Sequence, residues 1–202
     1  MYRRSWALVL VAALVLGSLS LASNATTMSQ IEGEANTLRA VRGTISQLFN
    51  GTLWAALAVF SGWLVRRPGQ AAGAGIVVLL TALAVHYGVG RIVGMFDTEG
   101  VLENSYWFAA ALVVGGPLGL VGAIARRSDL WGVLARLIVP VMAVLEPFVT
   151  GSFSAPAIMP WPQRFAEPAS GILLLLLGTA GCIWVVATAS RQQQTRRREA
   201  AN

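Results

Sequence analysis

From Trp6 to Ala22 the chain runs without a single charged residue, and five more long apolar stretches follow, three of them equally free of charge. Apolar stretches of membrane-crossing length fall at about 6–22, 46–65, 72–94, 106–125, 131–149 and 170–190. A hydrocarbon layer of about 30 Å is crossed by roughly 20 helical residues, and inside it only helices and closed barrels satisfy their backbone polar groups. These stretches predict an all-α fold: a polytopic transmembrane helical bundle of about six spans. Almost nothing remains for a soluble domain, so residues 1–202 are read as one integral membrane domain with a basic tail at 191–202. Composition agrees, with 55% hydrophobic and only 12% charged residues over 202 positions. A soluble domain carries about twice that charged fraction.

Charge placement sets the expected orientation. All fifteen basic residues are arginine. Arg3 and Arg4 precede the first stretch, Arg66 and Arg67 follow the second, and Arg126 and Arg127 follow the fourth. Arg191, Arg196, Arg197 and Arg198 follow the sixth, and Arg136 leans to the same side. The other side holds Arg39, Arg42, Arg91 and Arg164 among Glu32, Glu34, Asp97, Glu99, Glu103 and Glu167. The positive-inside bias therefore places both termini in the cytoplasm of a cell-membrane protein. A net charge of +6 is explained this way rather than by nucleic acid, since no basic stripe is interleaved with exposed aromatics. The tail arginines Arg191, Arg196, Arg197 and Arg198 are expected on anionic headgroups, at about 1 kcal/mol each.

Two segments invite alternatives. Arg3-Arg4, an apolar run and Ser20-Leu21-Ala22 resemble a secretory signal with a small-residue cleavage site; the length of the run favours a retained span. In 23–45, the apolar residues Ile31, Leu38, Val41, Ile45 and Leu48 share one helical face. They predict a helix on the outer membrane surface leading into span two. The 150–169 segment carries Pro156, Pro160, Pro162 and Pro168, which argue against a regular helix, while Phe153, Trp161 and Phe165 suit an interface. It is expected to be an outer lid, a plug or a plain connector.

Small residues decide how closely helices approach in lipid. Gly90 and Gly94, extended back by Ala84 and Gly88, mark span three. Gly115, Gly119 and Gly122 mark span four, and Gly178 and Gly181 mark span six. Such faces form the packed centre of most bundles and line a substrate path in a minority. Pro117 and Pro140 lie inside spans four and five, where each removes a backbone hydrogen bond.

Ionisable groups inside spans cost about 2.5–3.5 kcal/mol at mid-membrane on insertion scales, so they are the candidates for a site. Arg136 is close enough to the cytoplasmic end to snorkel. Measured from Phe96, Arg91 lies about 7 Å and His86 about 15 Å deep at 1.5 Å per residue. Glu146 lies about a turn below the outer end of span five, Asn50 opens span two, and Tyr87 adjoins His86. Asn50, His86, Tyr87, Arg91 and Glu146 thus define an expected outward-facing polar pocket between spans two, three and five, with Arg91 and Glu146 as its ion pair. No catalytic signature, metal-ligand set or cofactor motif accompanies them, and Cys182 is alone. No enzyme, cofactor or metal is expected.

Several local motifs together resemble a known pattern. Asn50-Gly51-Thr52-Leu53-Trp54-Ala55 opens span two and Arg66-Arg67-Pro68-Gly69 turns the chain. His86-Tyr87, Tyr106-Trp107-Phe108-Ala109-Ala110-Ala111, Gly115-Gly116-Pro117-Leu118-Gly119-Leu120 and Glu146 follow. Over roughly residues 5–190 this resembles a family of small six-span actinobacterial integral membrane proteins known only as a domain of unknown function, departing from it at Leu145, before the glutamate. The resemblance implies membrane location and no activity. Two functions remain in view: a structural or regulatory membrane subunit whose partners are lipid and other membrane subunits, or a transport component for a small molecule or ion, similar in size and span count to the substrate-binding subunits of vitamin-uptake transporters.

Overall fold

The computed structural model describes residues 2–24, 36–49, 51–65, 67–154, 158–159 and 161–201. Every regular element among them is an α-helix. They are α1 (Tyr2–Asn24), α2 (Asn36–Leu48), α3 (Gly51–Val65), α4 (Pro68–Ile92), α5 (Thr98–Glu103), α6 (Tyr106–Ile124), α7 (Leu130–Val149) and α8 (Trp161–Ala201). Five helical segments are long and apolar enough to cross a membrane, or six if the bent pair α2–α3 counts as one span. The outer surface of the bundle is itself apolar, with Val113 73% and Trp184 68% exposed. A surface of that kind is stable against hydrocarbon and not against water.

Helices α1, α3, α4 and α6 share the core, built around Val9, Ala13, Ala58, Ala74, Val78 and Ala82. Helix α1 packs along α4 so closely that a Cβ on Gly17 would meet the Ala82 carbonyl oxygen at 2.6 Å. It is therefore part of the core. Helices α7 and α8 form an antiparallel pair beside this core, joined to it through α3 and α6, while α2 lies along α8.

The tightest seam follows the predicted glycines of span four. Gly62 of α3 would place a Cβ 1.9 Å from the Gly119 carbonyl oxygen, and Gly75 of α4 would place one 2.1 Å from that of Gly115. Gly122 faces the Val59 carbonyl at 1.9 Å. Helix α6 is thus wedged backbone to backbone between α3 and α4. The span-three face is different from expectation. Gly90 is buried, where a Cβ would meet the Phe96 ring at 2.4 Å and Leu21 of α1 at 3.1 Å, but Gly88 and Gly94 have nothing within 4 Å of a Cβ, and Gly94 sits at φ +75° in the turn ending α4. Helix α4 instead presents Ala71, Gly75, Val78 and Ala82, one turn apart along the opposite face. Gly178 and Gly181 do pack, against Pro140 of α7. Pro117 and Pro140 are accommodated within continuous helices.

Two further expectations change. Span two is broken: α3 has 15 residues, about 22 Å at 1.5 Å per residue, too short to cross alone. It meets α2 at a 42° bend. Helix α2 does not lie free on a surface. It buries Ala40 and Thr44, with Gly43 against Ala166 of α8, and leaves Leu38, Val41 and Ile45 exposed; Ile31 lies outside the described residues. The 150–169 segment is helical from Trp161 onward. Pro162 falls in the first turn, where no donor is needed, and Pro168 removes a single bond from a helix held on both sides by α2 and α7.

At the arginine-rich end the short turns are fixed by their own charges. Arg126 lies 4.9 Å over the Trp63 ring and donates to the Trp63 carbonyl at 3.0 Å. Arg136 donates to the Gly132 carbonyl at 3.0 Å, one turn back towards that end. Asp129 caps α7, accepting the Gly132 N–H at 3.1 Å and pairing with Arg127. The Arg127 hydrogen bond, then the Gly132 amide, holds the Asp129 carboxyl below its ordinary value of 3.8. A lowered folded-state value means that its stabilisation is complete above 3.8 and is lost as pH falls through the folded value. Thermal melts of the wild type should therefore lose, on acidification below about 3.8, a component that Asp129→Ala lacks at every pH.

Candidate functional site

The bend between α2 and α3 frees backbone groups at membrane depth, and side chains satisfy them. A helix start leaves its first N–H groups without intrahelical partners. Glu146, reaching across from α7, fills that role: its Oε2 accepts the Thr52 N–H at 2.8 Å and also the Thr52 hydroxyl. On the other side of the bend, the Trp54 indole N–H donates to the Phe49 carbonyl at 2.7 Å. The anion-attracting end of α3 is thus occupied by the protein's own carboxylate.

Arg91 is elsewhere. It is exposed and donates to the Thr98 hydroxyl at 3.2 Å, at the start of α5. The expected Arg91–Glu146 pair is not formed, because the neighbours of α7 in the core are α3 and α6 rather than α4. Similar depth on two helices does not make them adjacent. His86 and Tyr87 form a third, separate group. His86 is 7% exposed, edge-to-face with Tyr87 at 4.9 Å and 5.4 Å from Phe96; Tyr87 also lies 6.0 Å from Phe108. Among the described residues the His86 Nδ1 has no hydrogen-bond partner, and aromatic rings surround it where an interhelical hydrogen bond was expected. Asn50 lies outside the described residues. The four described residues of the expected pocket therefore resolve into a helix cap, an aromatic cluster and a surface arginine.

A cavity does exist at this end, in another place. About 550 Å³ opens between the end of α2, the end of α7, the 150–154 turn and the start of α8. Glu146 and Glu167 line it, with Gln47, Thr150, Ser152 and Ser170. Of these only Glu146 stood out as an intramembrane charge; the rest belong to loop or helix-end positions, where polar residues carry no signal of their own. A smaller space of about 240 Å³ lies beside it between α1, α2 and α8, lined by Arg39 and Arg42 and sharing Gln47 and Glu167. Of the tail residues, Arg191 is exposed on α8, and the backbone helix continues past Arg196, Arg197 and Arg198.

No family model, curated protein or solved structure matches this chain.

Proposed function

We propose that this chain is a non-enzymatic structural or regulatory subunit of a bacterial plasma membrane, with six spans and both termini in the cytoplasm. The closed centre carries this reading. Helices α3, α4 and α6 meet backbone to backbone at Gly62, Gly75 and Gly119, which closes the seam between them. The capping of α3 by Glu146 supports it too, since an intrinsic carboxylate stands where a transported anion would bind. Helix α8 offers Leu176, Leu177, Ile183 and Trp184 as a broad exposed apolar face for lipid or a membrane partner. The basic tail from Arg191 to Arg198 would hold the inner leaflet.

Reconstitution tests the reading. Liposomes carrying the purified chain alone should show no ion conductance and no solute uptake above protein-free liposomes. Mild-detergent purification should retain a partner in fixed stoichiometry that reciprocally captures this chain. Solute-selective flux through the chain alone would replace this reading with the transport one, for which the 550 Å³ cavity is the favouring observation.

A further inference from the structure

We propose that the cavity between α2, α7, α8 and the 150–154 turn binds the ammonium group of a small organic cation. Its size is within the range of small-molecule sites, about 300–1,000 Å³. Two carboxylates line it, and among the described residues no cationic side chain does. Glu146 commits Oε2 to Thr52 and leaves Oε1 outside those bonds. Gly51 lies beside that oxygen, where a Cβ would sit 3.4 Å from it, in ordinary contact. Glu167 approaches from α8, on the wall shared with the neighbouring space. Helix α7 ends at the cavity, so the negative end of its dipole adds to the same field.

The hydroxyl protons of Thr150 and Ser170 are committed to the Glu146 and Glu167 backbone carbonyls, which leaves their oxygen lone pairs as acceptors for an N–H donor. The Thr150 Oγ1 and Ser152 Oγ atoms lie 2.8 Å apart at the mouth, and the buried Ser170 donates to the Glu167 carbonyl. No group of three His, Cys, Asp or Glu side chains converges among the described residues. A chelated divalent ion would require such a group, whereas a monovalent ammonium needs only one or two carboxylates and a polar wall. The ammonium has two possible sources at this level of the membrane, a free amine or the headgroup of an aminophospholipid.

The test uses the full chain in nanodiscs of phosphatidylglycerol, titrated with ethanolamine and with choline and read by saturation-transfer NMR. Saturable binding of at least one amine is expected, unaffected by equimolar acetate. Glu167→Gln should weaken it at least tenfold, and Ser154→Arg, at an exposed position lining the cavity, should abolish it. Glu103→Gln on α5 should leave it unchanged. Thermal melts of each variant establish that the fold is intact. Nanodiscs containing phosphatidylethanolamine separate the sources: competition assigns the ammonium to lipid, and its absence assigns it to a free amine. No saturable binding of either amine, equal binding by folded Glu167→Gln, or displacement by acetate would overturn the proposal.

Discussion

Gly119→Ala should destabilise the protein by about 3 kcal/mol, at the upper end of the usual cost of overpacking. The added carbon would lie 2.0 Å from the Ala71 carbonyl oxygen and 2.8 Å from its carbonyl carbon. Backbone atoms have no rotamer by which to move aside, so α4 and α6 must separate, and α3 loses its contact at Gly62 with them. Separation costs dispersion contacts that lipid does not fully replace, because helix association in a bilayer rests on close packing. Gly73→Ala on α4 is the matched control. Nothing lies within 4 Å of a Cβ there, so the change should be neutral or stabilising by up to about 1 kcal/mol through helix propensity. Denaturation in detergent micelles, followed by tryptophan fluorescence, measures both. Equal behaviour of the two variants would mean that the glycine seam does not hold the core.

Glu146→Ala should cost about 2 kcal/mol, the scale of a hydrogen bond to a charged group together with a helix start left uncapped. Glu146→Gln keeps a carbonyl oxygen for the Thr52 N–H but not the charge, and should recover about half of the loss. Arg91→Leu, at an exposed position whose side chain among the described residues bonds Thr98 alone, should change stability by less than about 0.5 kcal/mol. Combining Arg91→Leu with Glu146→Ala should give the sum of the two effects. Rescue in the double variant would require the two charges to be paired. The same denaturation assay decides between addition and rescue.

Much of the architecture was legible because membranes impose a simple rule: length and apolarity mark spans. The glycines at 115, 119 and 122 could be read for the same reason, since only small residues let backbones meet. The break in span two is marked only by Asn50-Gly51, a turn-prone pair, and what stabilises the bend is a backbone N–H bonded to a carboxylate 94 positions away. Depth was readable for Arg91, His86 and Glu146, but azimuth and helix adjacency were not, so three unconnected groups looked like one pocket. The prolines near Trp161 misled because a proline in a first turn and one in a doubly supported helix look the same in sequence as a proline in a loop. Glu167 and the hydroxyls of the cavity lay in that misread segment.

The proposed arrangement of spans across a bilayer underlies the proposed scaffold, the outward placement of the cavity and the lipid contact of the tail alike. Impermeant-maleimide labelling of single cysteines, on a Cys182→Ser background, tests it most directly. Gly69→Cys, Ser128→Cys and Gln193→Cys should react only in inverted vesicles, and Glu99→Cys and Gln163→Cys only in intact cells. A complete exchange of the two sets would contradict the orientation, and any mixing within a set would contradict the six-span bundle itself.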